Sequence, residues 1–300
     1  MLHPLVVFLV GFVGMAVASP ILEKRQSVTI LSTEQVSMYK SYTFYASAAY
    51  CRPANTIAWN CGANCDANPT FQPVASGGNG GSEQFWYVGY DPTLKTVIVG
   101  YQGTNTSEIE AVLTDANFAL TPLSASLFPN VPGGVLVHTG FRKAHADNAV
   151  RVLEAVKSTL ADNSASSVKV VGHSLGAALA ILNTLYLRLQ LDSSISVEMI
   201  GYGSPRVGNS AFADFAESQI KMTRINNKRD IVPVLPPRLV GYTHAIGEIH
   251  IKEDNTWASC PGRENISPQC TFGTVPIIVV GDAGDHNGPY DGVQMGCSEQ

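Results

Sequence analysis

Val168-Lys169-Val170-Val171-Gly172-His173-Ser174-Leu175-Gly176 is the stretch on which the reading of this chain turns. Val168 to Gly172 is a short, continuous β-branched run of the kind that forms a buried strand, and Ala177 to Leu191 is nearly all apolar and helix-forming. Between them, Gly172 to Gly176 spells Gly-x-Ser-x-Gly. A serine on a tight strand-to-helix turn exposes its hydroxyl, its neighbouring amide can receive an oxyanion, and the flanking glycines let strand and helix approach. In a loop the motif would carry little weight, and Ser174 would read as a helix N-cap. With a strand before it and a helix after it, Ser174 is the candidate nucleophile.

The flanking chain repeats the same alternation. Lys95 to Tyr101 reads as a strand, Phe141 to Leu160 as a helix, Val197 to Tyr202 as a strand, Ala211 to Gln219 as an amphipathic helix, and Met222 to Asn226 as a strand. Ile249, Ile251 and the run Val275 to Val280 are also strand-like. Such βαβ order predicts an α/β fold with a mostly parallel sheet covered by helices. The glycine-rich Gly77 to Ser82 lacks the Lys-Ser/Thr ending of a phosphate loop and reads as a turn.

A serine hydroxyl needs a base, and where a nucleophile sits on this kind of elbow the chain order is Ser, then Asp or Glu, then His. Of seven histidines, His3 lies at the extreme amino terminus, and His138, His145 and His173 precede the serine. That leaves His244, His250 and His286. His250 alternates within a strand pattern, which predicts a half-exposed structural side chain. His286 follows the apolar run Val275 to Val280 in a turn-rich loop at the carboxyl edge of the sheet, which makes it the expected base. Asp230 leaves the strand Met222 to Asn226 just before Pro233 and is the expected acid. Asp282 and Asp285 lie too near His286 in sequence and read as turn or N-cap residues. A calcium loop there would lack its closing glutamate.

The 300 residues, 45% of them hydrophobic and 14% charged, suit one large core. The formal charge is -5 with no Lys/Arg cluster, which excludes a nucleic-acid partner. Leu5 to Val17 is apolar but short for a bilayer crossing, and Ala16-Val17-Ala18 follows it. Residues 1–18 therefore read as a secretory signal, 19–25 as a propeptide ending at Lys24-Arg25, and 26–300 as a single domain. Export makes an even set of six cysteines a disulfide framework. Spacing favours Cys61 with Cys65 and Cys260 with Cys270, leaving Cys51 with Cys297, although spacing alone does not fix connectivity. Zinc is disfavoured because Cys61 and Cys65 have no second ligand pair at matching spacing.

Several separate motifs resemble those of the fungal secreted class 3 lipases, over nearly the whole mature chain. Tyr101-Gln102-Gly103-Thr104 resembles the family's oxyanion loop, Val137 to Phe141 its His-x-Gly-Phe segment, Gly172 to Gly176 its elbow, and Gly203 to Asn209 a following signature. Asn227 to Pro237 resembles the acid loop and Asp285-His286 the histidine loop. The resemblance implies an α/β-hydrolase fold, a central mostly parallel sheet flanked by helices with a short lid helix. It also implies a triad of Ser174, Asp230 and His286, oxyanion amides from Thr104 and Leu175, the three disulfides above, and no metal or cofactor. Two departures stand out: Gln102 where the family often has Arg, and Tyr290 one residue later than the family's usual aromatic after the histidine.

In such lipases the segment after Thr104 is a lid. Here Ile109, Val112, Leu113 and Ala116 share one face of a helix capped by Ser107, an amphipathic pattern that an ordinary surface helix would also show. Phe118, Ile231 and Val232 are the candidates for lining the substrate groove. Asn105 and Asn265 head glycosylation sequons, with Asn265 expected to be the occupied one. The expectation is a secreted, monomeric triacylglycerol lipase working through an acyl-enzyme at a lipid–water interface, without stable membrane insertion. A soluble aryl or feruloyl-type esterase, a peptidase and an inactive lipid-binding homologue are the alternatives.

Overall fold

Val97, Ile98 and Val99, like Val168, Val170 and Val171, are fully buried, because strands this apolar along their length need cover on both faces. In the computed structural model, which describes residues 27–104 and 118–298, they lie at the middle of a nine-stranded sheet. The expected signal and propeptide, the lid residues Ile109, Val112 and Leu113, and the Asn105 sequon lie outside the described residues.

The strands are β1 (Thr29–Ile30), β2 (Gln72–Gly77), β3 (Trp86–Asp91), β4 (Thr96–Tyr101), β5 (Leu120–Pro122), β6 (Leu136–His138), β7 (Ser167–His173), β8 (Ser196–Tyr202), β9 (Lys221–Asn227), β10 (Glu248–Ile251) and β11 (Trp257–Cys260). The sheet order is β1-β11-β10-β9-β8-β7-β4-β3-β2, with β5 and β6 paired separately. Its central five strands, β4, β7, β8, β9 and β10, run parallel. Antiparallel pairs extend it at both ends. β1 has only two residues, and β2 carries Pro73 and a register shift between Pro73 and Ala75.

Alternate side chains of each strand feed two cores. Val97, Val99, Val168 and Val170 pack with the helix Leu175–Gln190, of which twelve residues are buried, and with the helix Ala149–Asp162. Ile98, Val171, Ile200 and Ile225 pack on the opposite face with Tyr45, Ala46 and Tyr50 from the helix Lys40–Ala48 and its end. Each such aliphatic side chain contributes roughly 1.5–3 kcal/mol. Among the described residues no helix is long and apolar enough to cross a membrane. The cysteines pair as Cys51–Cys297, Cys61–Cys65 and Cys260–Cys270.

Three local expectations are corrected. The predicted helix from Phe141 to Leu160 is two helices, Thr139–Ala146 and Ala149–Asp162. They part where Asn148 leaves helical geometry at φ -130° and its amide oxygen accepts the Tyr101 hydroxyl. The run Val275 to Val280 is not a strand: it ends in a 3-10 turn, Ile278–Val280, with Val279 79% exposed. Pro276 removes a ladder donor there, and the sheet edge is already taken by β11 and β1. His250 is buried rather than half-exposed, its ring nitrogens each 2.8 Å from a carbonyl, Gln269 O and Lys228 O.

Candidate active site

β7 ends at His173 and the next residue, Ser174, takes φ 57° and ψ -127°, a conformation side chains other than hydrogen rarely adopt. Such a residue costs on the order of 1–3 kcal/mol and persists only where its surroundings hold it. They do so here. Ser174 N–H donates to Tyr202 O of β8 at 2.9 Å. A Cβ at Gly172 would lie 2.3 Å from Gly176 O, and one at Gly176 would lie 2.2 Å from Tyr101 O. The two glycines thus let the first turn of the helix Leu175–Gln190 close on the end of β4, directly before Gly103 and Thr104.

That loop is held by Gln102. Its backbone N–H donates to Phe85 O at 2.9 Å, and its side-chain oxygen accepts from Phe85 N at 2.8 Å. A neutral amide therefore anchors the segment, with no ion pair required. Thr104 and Leu175 are both half-buried.

On the other side, Asp230 follows β9 and His286 sits in the 3-10 turn Ala283–Asn287. His286 Nδ1–H donates to Asp230 Oδ2 at 2.8 Å, and both side chains are wholly buried. The second carboxylate oxygen accepts from Val232 N at 2.9 Å. His286 Nε2 is buried and has no hydrogen-bond partner among the described residues. The ring lies beside that of His173, centroids 4.3 Å apart, so the pair converges on the elbow. Gly203, at φ 53°, makes room: a Cβ there would fall 2.8 Å from His286 Cε1 and 2.9 Å from Asp230 Oδ2.

The shifted aromatic also finds a role, since the Tyr290 hydroxyl donates to His286 O at 2.9 Å. Asp282 Oδ1 accepts from Gly284 N, the turn and capping role expected of it, whereas Asp285 Oδ2 accepts from Arg229 N and ties the histidine loop to the chain just before Asp230. Ile231 and Val232 lie next to Asp230; Ile231 would touch a Cβ at Gly281, and Val232 is buried with its amide engaged by the carboxylate. Phe118 is half-buried, and its carbonyl accepts the Tyr242 hydroxyl at 3.1 Å. Asn265 donates from Nδ2 to Pro261 O and accepts at Oδ1 from Ser267 N, both at 2.9 Å. Among the described residues, Glu248, Cys260 and Cys270 stand close enough to share an ion. The two sulfurs are bonded to each other and offer no thiolate, so that donor set does not suit a metal.

Sequence reasoning overlooked Gly203, Tyr50 and His173. Gly203 lies in a quoted motif whose glycine carries no chemical label, and His173 was set aside for preceding the serine. Tyr50 lies 123 positions from His173 with no local pattern to mark it.

A strained serine between β7 and a buried helix, with a histidine–carboxylate pair in the loops at the carboxyl edge of the same parallel sheet, defines an α/β-hydrolase. The class 3 lipase family model matches residues 98–240. A secreted mono- and diacylglycerol lipase of Malassezia globosa is 34% identical over 206 residues, 67% of this chain and 66% of its own length. A second from the same organism is 31% identical over 224 residues, 73% of this chain and 71% of its own. A solved triacylglycerol lipase, described as having a serine-protease triad at its catalytic centre, superposes with a TM-score of 0.77 at 26% identity, over 90% of this chain and 98% of that one. The chain belongs to the class 3 lipase family.

Proposed function

We propose that this protein is a secreted serine carboxylic-ester hydrolase that cleaves acylglycerols, triacylglycerols included, through an acyl-enzyme. The observation that carries the reading is the 2.8 Å bond from His286 Nδ1 to Asp230, which leaves Nε2 as the ring's basic nitrogen beside the elbow serine. Ser174 Oγ attacks the ester carbonyl carbon while His286 Nε2 takes its proton, and Asp230 stabilises the imidazolium. The carbonyl oxygen, now an oxyanion, rests on the Thr104 and Leu175 amides. One such donor is typically worth about 10²–10³ in rate. Collapse breaks the ester C–O bond, and His286 returns the proton to the departing alcohol oxygen. Water, deprotonated by the same nitrogen, attacks the acyl-serine and frees the acid.

Phe118, Ile231 and Val232 are the proposed walls of the acyl groove, with Ile109, Val112 and Leu113 on the lid above it. Export through residues 1–18, trimming at Lys24-Arg25, glycosylation at Asn265 and action as a monomer complete the proposal. The relatives above are named as secreted enzymes, which supports the export. Their names also favour a second reading, preference for mono- and diacylglycerols.

The test is initial rate on tributyrin and on long-chain tri-, di- and monoacylglycerol across the solubility limit, beside methyl ferulate in solution, for wild type and Ser174→Ala. A jump in rate at the interface that vanishes in the variant is expected. Turnover of the partial glycerides alone selects the second reading. Activity confined to dissolved ferulate overturns both, and activity surviving Ser174→Ala overturns the mechanism.

A further inference from the structure

His173, the residue before the elbow serine, is wholly buried, and both of its ring nitrogens are engaged. Nε2 lies 2.8 Å from His286 O, and Nδ1 lies 2.6 Å from the Tyr50 hydroxyl. A carbonyl oxygen can only accept, so Nε2 carries a proton. Burial, reinforced by the neighbouring His286, holds the His173 imidazole well below its ordinary value, so the ring is neutral and Nδ1 is bare. The Tyr50 hydroxyl must then be the donor to Nδ1. Burial pushes that phenol up, and it stays protonated. The Tyr50 oxygen in turn receives the backbone amide of Gly103, next to Thr104. Gly103 approaches so closely that a Cβ on it would lie 2.2 Å from the Tyr50 hydroxyl and 3.0 Å from Ser174 Cβ.

We propose that Tyr50 and His173 are positioning residues for the reaction. The His286 carbonyl fixes His173 in the Nε2–H tautomer, and Tyr50, donating to its Nδ1, locks the ring in place so that His173 holds the main chain of His286 in register with the Gly103–Thr104 loop. The inference rests on the esterase reading of this site. Its content is a coupling. Four hydrogen-bonding groups run from the loop that carries one oxyanion amide to the backbone of the general base, so the two reaction partners of Ser174 keep one spacing. The same arrangement keeps a second positive charge away from His286, because a proton on His173 Nδ1 would be buried and would face the imidazolium across 4.3 Å. Tyr290 holds the same carbonyl from another side, so loss of His173 loosens His286 without releasing it.

The experiment uses Tyr50→Phe, His173→Phe and the double variant, with active sites counted by phosphonate labelling of Ser174 and turnover followed on a soluble short-chain ester. For each single variant kcat is expected to fall about tenfold with KM within about twofold, the size expected of a small misplacement of reacting groups. The double variant should lose no more than His173→Phe, because Tyr50 acts through His173. Long-range ¹H–¹⁵N spectra should show the Nε2–H tautomer for His173 in wild type and in Tyr50→Phe, with the bare Nδ1 resonance moving downfield in the variant as it loses its hydrogen-bond donor. Tyr45→Phe, which removes a buried hydroxyl bond from the helix Lys40–Ala48 to Asp91 of β3, should lower stability and leave kcat unchanged.

Wild-type turnover in Tyr50→Phe, additive losses in the double variant, or an unmoved His173 Nδ1 resonance would overturn the proposal while labelled Ser174 keeps the esterase reading intact. Wild-type protein that takes no phosphonate at Ser174 overturns that reading and this one with it.

Discussion

At the residue scale, the proton on His286 is the point most open to test. Asp230 accepts from Nδ1–H, which leaves Nε2 free to take a proton. Asp230→Asn keeps the shape but offers an amide N–H to Nδ1, which drives the ring's own proton onto Nε2 and removes the base. We expect kcat to fall by about 10⁴ with Tm nearly unchanged, measured by steady-state kinetics beside calorimetry. Gly203→Ala tests the packing of the same pair, because its Cβ meets both partners at under 3 Å on a left-handed backbone. A loss of at least about 1 kcal/mol and a clear drop in kcat are expected, and wild-type values for both would refute the crowding. Ser174 and Asp230 were legible because each follows a strand pattern that the structure keeps, and His286 was legible from its turn-rich loop and its place in chain order, the run before it being no strand. Gly203 and Tyr50 were not, because what they do is defined by neighbours remote in sequence.

At the element scale, the segment after Asp230 is braced by a buried ion pair. Arg206 donates from Nε and Nη2 to the two oxygens of Glu264, each at 2.7 Å, and from Nη1 to the carbonyls of Val234 and Pro236. Burial pushes the Glu264 carboxyl up, but its bonds to Arg206 and the surrounding positive charge outweigh that and hold it down to about 2. A carboxylate lowered on folding stabilises the native state fully above its unfolded value, near 4.3, and loses that contribution as pH falls towards about 2. Glu264→Gln leaves the Arg206 charge unpaired and should cost about 3–5 kcal/mol at neutral pH. In urea titrations the gap from wild type should close between about pH 4.5 and pH 2, and a gap independent of pH would contradict the assignment. The run Val275 to Val280 misled sequence reasoning because an apolar stretch that emerges at the surface has the same letters as a buried strand. Only the positions of Pro276 and of the occupied sheet edge separate the two. Val279 and Leu239, 79% and 96% exposed, lie in the 3-10 turns that precede His286 and follow Asp230 along the chain. Val279→Ser with Leu239→Ser should slow hydrolysis of emulsions several-fold and leave a dissolved ester unaffected, which paired assays would decide.

At the scale of the whole molecule, the parallel centre of the sheet was readable from alternating strand and helix patterns, whereas its antiparallel ends were not. β1 and β11 span two and four residues, too short to establish a period. The Cys51–Cys297 bond ties the end of the helix Lys40–Ala48 to the chain's last turn across a separation of 246 residues. Replacing both cysteines by serine should lower stability by about 2–5 kcal/mol, read from denaturant unfolding of the purified protein. Kinetics of the same variant would show whether that clamp also steadies Tyr50, which adjoins Cys51. The margins of the sheet carry a different consequence. A nine-stranded ladder normally ends in rows of unpaired amides and carbonyls that invite a strand from another molecule. One margin here is a two-residue strand and the other is interrupted by a proline and a bulge, so neither offers a template long enough for a foreign chain to continue the hydrogen bonding. Among the described residues, both margins of the nine-stranded sheet thus disfavour edge-to-edge joining of one molecule to another.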